Sequence, residues 1–244
     1  MSEEAIGMNP HFYQSSGDEA VLPAGQNGID VGSFFQSRNH REPLLKRPLD
    51  VALAFWMLVL SAPVSLLVAL AIKLEDGGPV FYRQQRWGRF GKRFSVLKFR
   101  TMIADADQRF GLKQATVNDQ RITRVGRLLR ATGLDELPQI INILRGEMSF
   151  VGPRALAVGE IIHDATGKRL EYEQVRGCIE RLAESPGMTS LATIFIAKDS
   201  VAHRKFRYDL LYIRKQSFGL DVRLIALSFW ISFRGRWETR QKKV

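Results

Sequence analysis

Val51 to Ile72 reads V-A-L-A-F-W-M-L-V-L-S-A-P-V-S-L-L-V-A-L-A-I, with no charge anywhere inside it. As a helix this stretch reaches about 33 Å, enough for a hydrocarbon core of roughly 30 Å. Two features argue against a straight crossing. Pro63 sits at the midpoint, where it removes a backbone hydrogen bond and clashes with the preceding turn, a fault of about 3 kcal/mol. Ser61 can serve the freed carbonyls, so the broken backbone is tolerable in lipid. The flanks are basic at both ends, with Lys46 and Arg47 before and Lys73, Arg83, Arg86, Arg89, Lys92 and Arg93 after. Such flanks cannot orient a crossing helix, but a hairpin with both ends cytoplasmic satisfies the positive-inside rule. The expectation is therefore a re-entrant helix-break-helix over residues 45–75, bent at Ser61-Ala62-Pro63. A kinked spanning helix and a buried core helix are the alternatives. Asp50 is expected to pair with Lys46 or Arg47 at the interface, since deeper burial of an acid is costly.

Upstream, residues 1–44 are polar and carry no apolar run, which predicts a flexible tail. Glu3 and Glu4 with nothing apolar behind them do not make a secretory signal, so the tail is expected on the side of synthesis. Across the 244 residues, 36 Lys+Arg face 25 Asp+Glu, a formal charge of +11 that calls for an anionic partner. The single cysteine, Cys178, excludes a disulfide framework and a cysteine metal cluster. His11, His40, His163 and His203 have no zinc-ligand spacing.

Downstream, Pro79 to Tyr82 and Phe94 to Phe99 read as short strands around the turn-rich Trp87 to Gly91, a small β-hairpin. Thr101 to Phe110 reads as a polar helix and Gln114 to Asp119 as a loop. From Arg121 to Ala131, an apolar stripe of Ile122, Val125, Leu128 and Leu129 faces arginines at 121, 124, 127 and 130, which predicts a basic amphipathic helix. It suits either a membrane surface or a core-packed surface position. Leu137 to Leu144 is a second apolar helix with Pro138 in its first turn. Val222 to Phe233 is a third, too short to span and followed by Arg234 and Arg236, as in an interfacial helix. The fold class is thus mainly α with a small β-hairpin: a re-entrant anchor, interfacial amphipathic helices and a compact cytoplasmic catalytic domain over 76–233, with a basic tail at 234–244.

Chemistry concentrates at Asp135-Glu136. The pair can be a capping acid plus an acid favoured by the helix dipole. The neighbourhood suggests more. Arg130 lies one turn earlier, and Met148-Ser149-Phe150-Val151-Gly152-Pro153-Arg154 forms a tight turn presenting an arginine and backbone amides. Carboxylates able to hold a divalent metal, beside arginines and amides, are what a diphosphate site requires. An acid there could attack phosphorus, or both acids could only ligate metal.

Taken in order, Lys46-Arg47-x-x-Asp50, Ser61-Ala62-Pro63, Gly78-Pro79-Val80-Phe81, Arg83-Gln84-x-Arg86-x-Gly88 and Lys98-Phe99-Arg100-Thr101-Met102 share one pattern with Arg121 to Gly126, Asp135 to Gln139 and Met148 to Arg154. The pattern resembles the bacterial sugar transferases, or monotopic phosphoglycosyl transferases, from about Leu45 to about Ser232. The resemblance implies an enzyme of the bacterial inner membrane, its catalytic domain on the cytoplasmic face. Such an enzyme moves a sugar 1-phosphate from a UDP-sugar to polyprenol (undecaprenyl) phosphate and releases UMP. The step begins an exopolysaccharide, capsule or O-antigen glycan. By position it implies Asp135 as nucleophile carrying a covalent phospho-sugar, and Glu136 as a residue that helps hold Mg²⁺ or manages the acceptor's proton. Arg130, Arg154, Lys98 and Arg100 would bind phosphate, and Asp209 matches a later acidic position of the substrate pocket. Anionic membrane lipids are expected partners, nucleic acid is not, and a homo-oligomer is compatible with the pattern.

Two departures bear on this. Ala155 stands where the family commonly has Pro, and Ser185-Pro186-Gly187 replaces an Arg-Pro-Gly, removing a cation from near the nucleotide. A catalytically inactive transferase-like partner, or a basic membrane-associated scaffold, is the alternative reading.

Overall fold

The computed structural model describes residues 42–110, 119–159, 162–163, 169–170, 177–196 and 202–234. Most of the expected tail and nearly all of the basic C-terminus lie outside these residues, as does most of the Gln114–Asp119 loop.

Helix α1 is Lys46–Asp76, 31 residues ended by Gly77 in the left-handed conformation at φ 70°. Pro63 lies inside it, and the expected break at Ser61-Ala62-Pro63 does not interrupt the helix. The turns before and after it supply enough backbone bonds to carry the helix past one missing donor. What divides α1 is burial. Lys46, Asp50 and Ala54 are buried at its start and Val68 and Ile72 near its end, whereas Leu60 and Leu66 between them are each 71% exposed. It is a helix long and apolar enough to cross a membrane by length and composition.

Both ends of α1 bond to residues later in the chain. At the start, Lys46 Nζ donates to Val151 O at 2.7 Å and to Asp221 Oδ2 at 2.9 Å. Arg47 donates to the carbonyls of Ile143 and Leu144 at 2.6 and 3.0 Å. Asp50 does not take up either cation as its hydrogen-bonding partner; its Oδ1 accepts from the Phe150 amide at 3.1 Å. At the far end, Asp76 holds Arg100, and Glu75 accepts the Arg124 amide at 2.7 Å.

Strands β1 (Phe81–Trp87) and β2 (Arg93–Phe99) form the antiparallel hairpin, in register from Phe81↔Phe99 to Trp87↔Arg93. β1 is longer than the expected Pro79–Tyr82. Its inward positions Tyr82, Gln84 and Arg86 are polar, so the alternation is one of burial and not of residue type. Helix α2 is only Ala106–Phe110, because the chain before it makes a bridge from Met102 to Ile122. Helix α3, Arg124–Thr132, starts later than the arginine spacing suggests, since Thr123 Oγ1 accepts the Gly126 amide and caps it. α3 also crosses the chain at Thr101 closely: a Cβ on Gly126 would lie 2.1 Å from Thr101 O.

A 3₁₀ turn, Leu134–Glu136, links α3 to α4, Gln139–Arg145. Strand β3 (Ser149–Val151) follows, then the short antiparallel pair β4 (Ile162–His163) and β5 (Arg169–Leu170), and α5 (Cys178–Leu182). Strand β6 (Gly187–Thr189) runs parallel to β3. Helices α6 (Leu191–Phe195), α7 (Ala202–Lys215) and α8 (Phe218–Phe233) complete the chain order. The fold is thus mostly helical with small sheets. The core gathers Val96 of β2, Ile140 and Ile143 of α4, Phe150 of β3, and Leu224 and Ile231 of α8. Helix α8 starts four residues before the expected Val222, capped by Ser217, and leaves Phe229, Trp230 and Phe233 exposed.

Candidate active site

Gly133, at φ 74°, ends α3 and turns the chain into the 3₁₀ turn that carries Asp135 and Glu136. The acids therefore sit between two helices and not in the first turn of α4. Both are buried, at 9% exposure each. Adjacent buried carboxylates repel, and the structure answers with cations. Lys98 of β2 places Nζ 2.6 Å from Glu136 Oε1 and 4.0 Å from Asp135 Oδ2. Burial alone would push the Glu136 carboxyl up. Lys98, Arg154 and Arg86 outweigh it and hold that carboxyl down at about 2.

Arg154 follows β3 in a turn that needs two glycines. A Cβ on Gly152 would meet Ser185 O at 2.2 Å, and one on Gly187 would meet Gly152 N at 2.1 Å. The altered Ser185-Pro186-Gly187 segment thus packs backbone to backbone against the Arg154 turn. Ser185 itself donates to Glu42 Oε1 at 3.1 Å. The Arg154 side chain is exposed, and its charge acts on Glu136.

Arg86 was not singled out from the sequence as a site residue, although strand alternation and register put Tyr82, Gln84, Arg86 and Lys98 on one face of the hairpin. Its Nη2 donates to Gln84 Oε1 at 2.9 Å and its Nη1 to Ala155 O at 2.6 Å, which moors it beside the turn.

Two expected site residues, Arg100 and Asp209, take other partners. Arg100 is buried and directed to Asp76, Pro79 O and Met102 O, so it secures the end of α1. Asp209, on α7, is 1% exposed and pairs with Arg181 at 2.9 Å. Burial pushes its carboxyl up against the pull of Arg181. Arg130 occupies the last turn of α3, half-buried, five residues before Asp135. Ser61 and Pro63 lie in the middle of α1, away from the acids' neighbours, with Pro63 exposed.

Among the described residues no three His, Cys, Asp or Glu side chains gather as a metal cage. Asp135 and Glu136 offer two carboxylates. That set suits Mg²⁺, which binds through one or two carboxylates with phosphate oxygens and water completing its shell. A carboxylate pair flanked by Lys98, Arg86 and Arg154, with Glu136 held ionised, can receive a diphosphate and direct an oxygen at its phosphorus.

Several known proteins share much of this sequence. The chain is 41% identical over 187 residues to the exopolysaccharide production protein PSS of Rhizobium leguminosarum bv. phaseoli, covering 75% of this chain and 92% of that protein. It is 39% identical over 214 residues to the UDP-glucose:undecaprenyl-phosphate glucose-1-phosphate transferase of Klebsiella pneumoniae, covering 85% of this chain but 44% of the relative. The protein of the same description from Escherichia coli (strain K12) is 40% identical over 213 residues, again covering 44% of its length. The chain therefore spans less than half of these two longer relatives. Residues 41–235 match the bacterial sugar transferase family as a whole, and the chain belongs to that family.

Proposed function

We propose that this chain is a phosphoglycosyl transferase that moves a sugar 1-phosphate from a UDP-sugar to polyprenol phosphate, releasing UMP and starting an exopolysaccharide or related glycan. The observation that carries the reading is the buried Asp135-Glu136 pair held by Lys98 with the charge of Arg154 bearing on it. Asp135 attacks the phosphorus that bears the sugar, a P–O bond to Asp135 forms, and the bond to UMP breaks. A phosphate oxygen of the acceptor then attacks the same phosphorus and frees Asp135. Lys98, Arg86 and Arg154 offset the charge of the incoming diphosphate. Glu136, kept ionised by these cations, orients the site and would, with Asp135, hold Mg²⁺. When bound, Mg²⁺ would neutralise diphosphate charge.

The membrane side of the reading rests on α1 and α8. Lys46 and Asp76, the first and last residues of α1, both bond to later parts of the chain, which supports a helix that bends at Pro63 without breaking, dips into lipid and returns. A straight crossing would set its ends on opposite sides of a hydrocarbon core of roughly 30 Å. Trp230 on α8, with Arg234 4.6 Å over its ring, suits the headgroup level. The basic residues flanking α1 at both ends support the cytoplasmic face of the inner membrane as the side that holds the domain.

The test is UMP release by membrane fractions carrying the chain, with undecaprenyl phosphate and Mg²⁺, starting with UDP-glucose and extending to other UDP-sugars. Asp135→Asn should abolish release and the label that a donor carrying ³²P in its sugar phosphate leaves on the protein. Release that persists in Asp135→Asn would refute the covalent route.

A further inference from the structure

The backbone that carries Arg154 is gripped from outside by three cations. Lys46 donates to Val151 O at 2.7 Å, Arg181 to Arg154 O at 2.7 Å, and Arg86 to Ala155 O at 2.6 Å. Two of these cations are buried and balanced by buried acids, Lys46 by Asp221 and Arg181 by Asp209, each at 2.9 Å.

The Arg181–Asp209 pair bears on Arg154 most directly. Arg181 spends Nε and Nη2 on Asp209 and shares Nη2 with Arg154 O. Its guanidinium also lies 3.9 Å from the centroid of the Phe206 ring, so the plane of the group is fixed. The peptide group before Arg154 is held separately, with Pro153 O accepting the Gly187 amide at 2.9 Å. The peptide group after it is held by an ion pair whose side chains are 2% and 1% exposed. Burying an ion pair is costly, and apolar residues of the same volume often stabilise a fold as well. What the pair contributes here is direction. With its two peptide groups fixed, Arg154 leaves the chain on a single heading, and its charge reaches Glu136 although its side chain is exposed.

We propose that Asp209 and Arg181 are positioning residues for donor binding: they hold the Arg154 backbone so that its guanidinium meets the donor phosphate, and Asp209 itself does not touch substrate. This rests on the reading of Arg154 as a phosphate grip.

The test compares Arg181→Lys and Asp209→Asn, alone and combined with Arg154→Ala, in membranes carrying the full chain. The readouts are KM and kcat for UMP release from the UDP-sugar that the unaltered chain turns over, with UDP protection against heat as a second measure of binding. Each single variant should raise the donor KM about 10-fold with kcat changed less than about 3-fold, and both changes should shrink below about 2-fold once Arg154 is Ala, as for residues acting through one another. UDP protection should weaken in parallel and then not weaken further in the Arg154→Ala background. An undiminished effect in that background would overturn the proposal, as would an unchanged KM or loss of cooperative melting in both single variants. If the unaltered chain releases no UMP from any UDP-sugar, the transferase reading itself fails.

Discussion

Lys98 touches both acids, so its removal is the sharpest probe of the pair. Burial pushes Glu136 up, and Lys98 is the largest single force pulling it down. A carboxyl held below its ordinary value of 4.5 adds stability above that pH, and this contribution is lost only as pH falls through about 2. The unaltered site therefore keeps Glu136 ionised throughout the working range. Lys98→Met should raise the acid limb of the pH–rate profile for UMP release by about one unit or more. An acid limb left in place would mean that Lys98 does not govern the charge of Glu136. The acids and Arg154 are legible in the sequence because each stands in a short motif whose chemistry is local, whereas Lys98 enters only through the family resemblance, its partner Glu136 lying 38 residues later. Arg100 is not legible either, since its partner Asp76 lies 24 residues earlier at the end of an apolar helix, and no spacing rule links the two. Arg181 is hidden for the same reason: its partner Asp209 is 28 residues later and meets it only through the packing of α5 on α7.

At the scale of elements, the apolar helices divide into those that build the core and those that leave apolar side chains exposed. Ile143 of α4 is fully buried and Leu60 of α1 is 71% exposed, although both read simply as apolar. Ile143→Ala should cost about 2–5 kcal/mol of domain stability by denaturant unfolding in detergent. Leu60→Ala should stay within about 0.5 kcal/mol in the same measurement and act on membrane retention instead. Equal losses from the two would place the middle of α1 in the core. Periodicity identifies these helices because it reports an apolar face, but it is silent on what covers that face. It misplaces their ends where a cap intervenes. Thr123 starts α3 and Ser217 starts α8, and each decides the boundary through one side-chain oxygen. The β1 strand is under-read for a different reason, because its inner face is built for the site with Gln84 and Arg86 and not for the core.

For the whole molecule, the placement of the acids depends on how α1 meets the bilayer. Its two ends are moored by different bonds, Lys46 and Arg47 to β3, α4 and α8, and Glu75 and Asp76 to α3 and the end of β2. A domain bound at both ends cannot follow one of them across a membrane without losing the other set of bonds. Single cysteines at Leu44 and Leu74, which are 94% and 76% exposed, should therefore share one fate. In intact cells neither should react with a membrane-impermeant maleimide, and both should react once the inner membrane is opened. A cysteine at Leu60 should stay protected in both conditions, because lipid covers it. The native Cys178 is buried and adds little background. Reaction of one end in intact cells and the other only after opening would establish a straight crossing, and the bonds at one end of α1 would then have to be broken in the membrane. If both ends lie on one side, the 3₁₀ turn bearing Asp135 and Glu136 would be held beside the lipid surface by the same helix that enters it, and the proposed water-soluble donor and lipid-borne phosphate would then reach one carboxylate.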